Sequence, residues 1–385
     1  AAASLSAGHL DVRVVEGKVE HFSSRQYPTG ATQPFFEFSQ KNGELQTLVF
    51  ESQWVDEDSG ELVCVFAHPV SGGIEVRYGI EQSVRALDVS IRADGLPRPD
   101  PGFGGALSLT FQPSFADPEI WVDSPYAVTQ VQARRKGLKK YPSGDWMTSP
   151  QWFEEVECPF SSQSLVDFVE PGSGRGVLVL HDGSQQWFRQ GEGFRNILNL
   201  YDPWDERYWL QEVEAKFRLV PHDATTNAER MRLAQEFRRP CAATVKREGP
   251  GDMPARFSPV RVEANGASLT AWYREMDWEA FRHEDYAAAG WAYPTFARVA
   301  EWNGEPTHVR LIVSQELAKA AKTNALGERE ADLTVSQQGG EWAVEFDLRP
   351  HEVATVALDI VPARKVFRDL DAHRKVWATV HRTEE

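Results

Sequence analysis

Apolar residues that recur at every second position run through the chain from Leu10 to about Ile91, and that period settles the fold class. Ile74, Val76, Tyr78 and Ile80 alternate with Glu75, Arg77 and Gly79, and Leu87, Val89 and Ile91 alternate with Asp88, Ser90 and Arg92. Successive side chains of a strand point to opposite faces, so each run reads as a strand with one face buried. Gly72 with Gly73, Asp94 with Gly95, and the stretch 97–105 punctuate these runs, as antiparallel β structure requires. Leu107, Leu109 and Phe111 continue the alternation before Pro113, Pro118 and Pro125 cut the chain into short pieces. Strands are expected again at 164–169 and 177–180. The chain is mainly β, with few helices.

The segment 194–240 is the main exception. It holds an acidic and aromatic loop, a strand, a turn at Pro221 and His222, and one helix. Thr226 and Glu229 stand at capping-box spacing, and Met231, Leu233, Ala234 and Phe237 follow before Pro240 stops the helix. Such a helix is expected to close the edge of a β sandwich. Gly172, Gly174 and Gly176 lie between strands and read as a turn.

A chain of 385 residues exceeds what one core comfortably serves, so more than one domain is expected. Residues 247–259 have three prolines, two glycines and no period, which marks a linker after a large β domain at 1–246. Seven short strands are expected beyond it, at 260–262, 269–273, 296–300, 309–313, 333–335, 342–346 and 353–360. They suit a smaller, immunoglobulin-sized sandwich spanning 260–361, with a short helical turn at 315–322 on its edge. Val366, Phe367, Leu370, Arg374, Trp377 and Val380 keep helical spacing, so 362–385 reads as an amphipathic helix folded back on the rest.

A net charge of −16 repels phosphate backbones and argues against nucleic-acid partners. The one basic run, Arg134, Arg135, Lys136, Lys139 and Lys140, reads as a solvated loop or, less simply, a contact for an acidic partner. No apolar run approaches the roughly 20 residues of a membrane span. The opening residues carry neither a basic nor an apolar leader region. Cys64, Cys158 and Cys241 are odd in number and share no short metal spacing, which fits a reducing compartment and a cytoplasmic protein.

None of the ten histidines makes a short metal motif, and neither a G-x-S-x-G elbow nor a phosphate loop is present. No catalytic nucleophile and no metal ligand is assigned. Trp121, Tyr126, Tyr141, Trp146, Trp152 and Phe153 crowd the region after 120, either as sugar-stacking platforms or as plugs at the ends of a sandwich. The best cluster is Asp202, Trp204, Asp205, Glu206 and Arg207, flanked by Tyr201 and Tyr208. Carboxylates accept hydrogen bonds from sugar hydroxyls, and ring faces cover the C–H side of a pyranose. The plainer reading is a solvated turn in which Arg207 pairs with a neighbouring acid. His181 and His222 each sit at a strand end beside an aspartate, Asp182 and Asp223, as an acid–base residue or as a turn histidine satisfied by its neighbour.

FRLVPH at 217–222, followed by LAQEFRRP at 233–240, resembles the F-x-Y-A-L-x-P-H and A-x-x-F-N-x-P segment of glycoside hydrolase family 38, the retaining α-mannosidases. ILNL at 197–200, DSPY at 123–126 and QSLVD at 163–167 are similar to the segments before it, and Val12 to Val19, bent at Gly17, resembles the first strand pair. ARVAEWNG at 297–304, NALGE at 324–328 and PHEVAT at 350–355 resemble the family's R-x-x-E-x-x-G, N-L-x-E and P-x-E-I-x-T. The motifs are individually weak, but they follow the family's order along nearly the whole chain.

The resemblance implies the C-terminal β portion of such an enzyme: a galactose-mutarotase-like supersandwich followed by a smaller immunoglobulin-like β-sandwich. It implies carbohydrate, a mannoside, as partner, and a catalytic α/β domain or chain that carries the nucleophile and a zinc ion outside these residues. Asp202, Trp204, Asp205 and Arg207 would then help wall the sugar cleft. Two departures stand out: Asn199, Leu200 and Tyr201 replace the family's Leu-Leu-Arg, and Arg238 follows Phe237 where the family has Asn. Two rival readings are an autonomous carbohydrate-binding protein using Trp146, Trp152 or Trp204, and a mutarotase- or lyase-like enzyme using His181 or His222.

Overall fold

The computed structural model describes residues 2–7, 10–24, 35–39, 45–46, 48–67, 72–83, 85–96, 106–131, 160–182, 184–190, 193–200, 210–239, 258–274 and 295–361. The chain divides into two compact units, Ala1–Ala242 and Ala243–Glu385. Both are built from antiparallel sheets, so the mainly β architecture expected from the alternation is present.

The first unit opens with a three-stranded sheet, Ala2–Ala7, Leu10–Val15 and Lys18–Ser24. Its second turn needs left-handed backbone at both central residues, Glu16 (φ 48) and Gly17 (φ 73), the geometry that matches a tight hairpin to strand twist. A Cβ on Gly17 would lie 2.2 Å from the Phe66 ring, so glycine is required there for space as well.

A six-stranded sheet runs in the order Phe160–Ser161, Gln186–Gln190, Gly193–Leu200, Ala106–Phe111, Phe35–Ser39 and Leu45–Gln46. A nine-stranded sheet runs Ala127–Gln130, Glu119–Ser124, Leu165–Val169, Gly176–His181, Glu212–His222, Ala86–Asp94, Gly73–Glu81, Leu62–Ala67 and Val49–Val55. Their facing side chains share one core. Phe111 meets Phe217 at 5.4 Å between ring centroids and Phe194 meets Phe168 at 4.6 Å, each pair joining one sheet to the other.

The helix Asn227–Arg238 covers the opposite face of the nine-stranded sheet, where Leu233 and Ala234 pack with Leu165, Leu178, Leu180 and Val220. It therefore lies over a sheet face rather than closing an edge. Because the central strands are covered on both sides, Leu165–Val169 and Gly176–His181 are buried at every position. That is why their sequences read as apolar runs rather than alternating ones, interrupted only by Asp167 and ended by His181. Pro221 and His222 end the strand Glu212–His222 instead of forming a turn. Proline is tolerated because pairing with Ala86–Asp94 stops at Leu219, leaving only one neighbour, through Val177.

The second unit has a four-stranded sheet, in the order Val260–Ala264, Thr307–Val313, Glu341–Leu348 and Val335–Gln338. Its five-stranded sheet runs Ala267–Arg274, Thr295–Glu301, Val353–Ile360, Leu317–Thr323 and Arg329–Leu333. Val309, Leu311, Val344 and Phe346 from the first meet Ala297, Val299, Val356 and Leu358 from the second in one core. The expected helical turn at 315–322 is a strand. Its Ala and Lys residues favour helix locally, but pairing on both sides, with Val353–Ile360 and Arg329–Leu333, overrides that preference. The expected strand at 333–335 is the junction of two, Arg329–Leu333 and Val335–Gln338. The expected helix at 362–385, the basic run at 134–140 and the aromatics Tyr141, Trp146, Trp152 and Phe153 lie outside the described residues.

Candidate functional site

Polar side chains gather at two places on the nine-stranded sheet. The first lies under the helix. Asp167 alternates with the core residues Val166 and Phe168, so its carboxylate points to the helix side, where it is fully buried. Its Oδ1 accepts from His222 Nε2 at 2.8 Å, and its Oδ2 accepts from Arg230 Nε at 2.7 Å. Arg230 also donates through Nη1 to Asn227 Oδ1, and its guanidinium lies 5.0 Å from the centre of the Trp121 ring. Gly176, paired with His222, leaves room for the imidazole: a Cβ there would come within 2.9 Å of it. A carboxylate-bound imidazole has the makings of a general base. Here the imidazole's other nitrogen, Nδ1, is sealed without a partner, and no substrate atom has a path to it. The group is a clasp that fixes the helix to the sheet.

The second place surrounds Asp123. Its Oδ1 accepts from the backbone N–H groups of Gln163, Ser164 and Leu165, holding the turn that leads into Leu165–Val169. Beside it Ser162 Oγ lies 2.6 Å from His181 Nε2, and the His181 ring meets Trp187 edge-on at 5.7 Å. His181 has 0% exposure, and burial pushes its pKa down to about 4. It is neutral near pH 7 and out of reach of any substrate. The neighbour contacts expected from sequence thus give way: His181 pairs with Ser162 and His222 with Asp167, while Asp182 Oδ1 accepts from the Lys216 backbone N–H. Neither histidine is placed to move a proton for a sugar.

Asp202, Trp204, Asp205 and Arg207 lie outside the described residues. The base of their loop is described. Asn199 donates through Nδ2 to Leu210 O at 2.8 Å and accepts from Leu210 N at Oδ1, 3.2 Å. The departure from Leu-Leu-Arg therefore has a visible role: Asn199 clamps together the two ends of 201–209.

In the second unit, fully buried Glu301 accepts from three backbone donors: Asn303 N at Oε1, and Gly304 N and His351 N at Oε2. Asn324 Oδ1 accepts from Leu326 N and Glu328 N. Glu352 accepts from Lys322 Nζ and from Arg349. Within the segments that carry the family resemblance, the polar residues Asp123, Asp167, His222, Glu301, Asn324 and Glu352 thus act as turn locks and helix clasps. Sequence reasoning passed over Arg230 and met Asn199 only as a departure from the family pattern; for Arg230, an arginine on the apolar stripe of a helix, in register with Leu233, Ala234 and Phe237, was the available signal. Among the described residues, no three His, Cys, Asp or Glu side chains converge as a metal site. No described helix is long and apolar enough to cross a membrane.

No protein-family model and no curated protein matches the sequence. Among solved structures, an α-mannosidase from Enterococcus faecalis V583 matches with a TM-score of 0.61 at 12% identity, over 92% of this chain and 42% of that one. α-Galactosidases from Lactobacillus brevis (TM-score 0.33, 13% identity, 60% of this chain and 41% of that one) and Geobacillus stearothermophilus (0.32, 9%, 60% and 42%) overlap it more loosely. The chain thus shares its fold with part of an α-mannosidase and spans 42% of that enzyme's length.

Proposed function

We propose that this chain is the β-sandwich region of an α-mannosidase-like glycoside hydrolase. It supports and walls the sugar site of a catalytic portion lying outside these 385 residues. The observation that carries the reading is a fold match over 92% of the chain to an α-mannosidase of which it spans 42%. The ordered motifs of the second unit and of the helix clasp point the same way. Catalysis is then the work of the other portion, which supplies two carboxylates roughly 5 to 5.5 Å apart for retaining hydrolysis, and zinc. This chain contributes Asp202, Trp204, Asp205 and Arg207, on a loop whose base Asn199 holds.

The test is the protein as isolated from its source, by intact mass and native gel filtration with an aryl α-mannoside assay on each fraction. A species well above 43.4 kDa, carrying an N-terminal extension or a tightly bound second chain and hydrolysing the mannoside, is the expected result. An inactive monomer of 43.4 kDa would overturn it.

A further inference from the structure

Two corners of the second unit carry the same dipeptide. Asn265 and Gly266 link Val260–Ala264 to Ala267–Arg274, and Asn303 and Gly304 follow Thr295–Glu301 toward Thr307–Val313, each passing the chain from one sheet of the sandwich to the other. Asparagine before glycine is the pair in which a backbone nitrogen readily attacks the preceding side-chain amide, because glycine has no Cβ to hinder the approach. The attack requires the glycine N–H to lose its proton, which leaves negative charge shared between that nitrogen and the asparagine carbonyl oxygen of the same peptide.

The two peptides meet opposite surroundings. The Gly304 N–H donates to Glu301 Oε2 at 2.9 Å, and the Asn303 N–H donates to Oε1 at 2.6 Å. A fully buried carboxylate facing the N–H keeps the proton in place and repels the charge its loss would create. Asn265 is exposed, and neither its carboxamide nor the Gly266 N–H has a hydrogen-bond partner among the described residues. Instead the Thr307 hydroxyl donates to the Asn265 carbonyl oxygen at 2.5 Å, the atom on which the charge would gather. The corner is held in this state from its other side. Trp302 N donates to Gly266 O at 2.8 Å, and the Asn303 side chain lies against Gly266, where a Cβ would come within 2.6 Å of its Nδ2.

We infer that Asn265 is a self-modification site, activated by Thr307, while Asn303 is kept inert by Glu301. The Gly266 nitrogen bonds to Asn265 Cγ, the Cγ–Nδ2 bond breaks, and ammonia leaves with the proton that the nitrogen gave up. Water then opens the imide ring at either carbonyl, to aspartate or isoaspartate. Both products place a new negative charge on this corner, and isoaspartate also turns the carbonyl that Thr307 holds into a free carboxylate. The site does not depend on the mannosidase reading, which stands or falls by other measurements.

The experiment holds the intact protein in mildly alkaline buffer and follows both asparagines by proteolytic mapping with mass spectrometry, scoring aspartate and isoaspartate against time. Asn265 should convert about tenfold faster than Asn303 or more, although the two share one dipeptide. Thr307→Val should slow Asn265 roughly fivefold, and Thr307→Ser, which keeps the hydroxyl, should convert like the wild type. Loosening of the fold would speed conversion, so a slower valine variant cannot be explained by lost stability. Equal rates at the two asparagines, or an Asn265 that stays intact, overturn the site. A Thr307→Val protein that converts as fast as the wild type, or a Thr307→Ser protein as slow as the valine variant, overturns the part given to Thr307.

Discussion

Asp167 shows how a single buried carboxylate can organise an element. It accepts from His222 and Arg230 at once, and its loss would strand a guanidinium only 7% exposed. Asp167→Ala is expected to destabilise the first unit by roughly 3 to 5 kcal/mol in urea denaturation, the usual cost of breaking a buried pair from one side. His181 gives a pH signature. Its folded pKa lies at about 4, below the unfolded value of 6.5. The unfolded chain therefore takes up a proton first as the pH falls, and stability that is complete above 6.5 declines toward 4, by roughly 3 kcal/mol in all. In a His181→Gln variant, stability measured across that range should lose this step. At this scale the sequence was only partly legible. It marked His181 and His222 as notable and met Asp167 only as the end of a resembling segment, because their partners are set by strand register across 19 and 55 positions, which adjacency in sequence does not reveal.

The helix Asn227–Arg238 was the most legible element, because its cap and apolar stripe are local signals. Thr226 Oγ1 accepts from Glu229 N as the spacing requires, although the Glu229 carboxylate pairs with Arg232. Thr226→Ala should cost about 1 kcal/mol, read as faster amide exchange in the first helical turn. The strand Leu317–Thr323 was illegible for the opposite reason: its residues prefer helix, and only the strands on either side reverse that. Asn199→Ala tests the loop base. Exchange at the Leu210 amide should rise sharply with little change in global stability, and mannoside affinity should fall with it if 201–209 contacts sugar.

Across the whole molecule the two units should respond to acid in a fixed order. Burial raises the Glu352 carboxyl, but Lys322 and Arg349 outweigh it and hold it down at about 2. Its contribution is therefore present above 4.5 and is lost only as the pH falls toward 2. His308 has the opposite sign. Asp347 and Glu345 raise its pKa, so its stabilising effect is present below 6.5 and is lost as the pH rises through the folded value. Amide protection, taken relative to the slower intrinsic exchange in acid, should thus fall between pH 7 and pH 5 in Gly176–His181 while it holds in Leu317–Thr323 and Val353–Ile360. The β architecture was readable because period-two alternation survives wherever one face is buried. The family likeness was readable in part at turn locks such as Glu301 and Asn324, whose side-chain oxygens hold three and two backbone N–H groups, a local role that says nothing of a ligand. The Asn199 clamp has the converse effect. By tying the chain to itself at Leu210, it makes 201–209 an interchangeable part: its contents can be rewritten, or its length doubled for only about 0.6 kcal/mol, while the sheet beneath keeps its register. If 201–209 reaches the sugar as proposed, new sugar preferences can arise by exchanging this one insert, with no need to refold the scaffold that carries it.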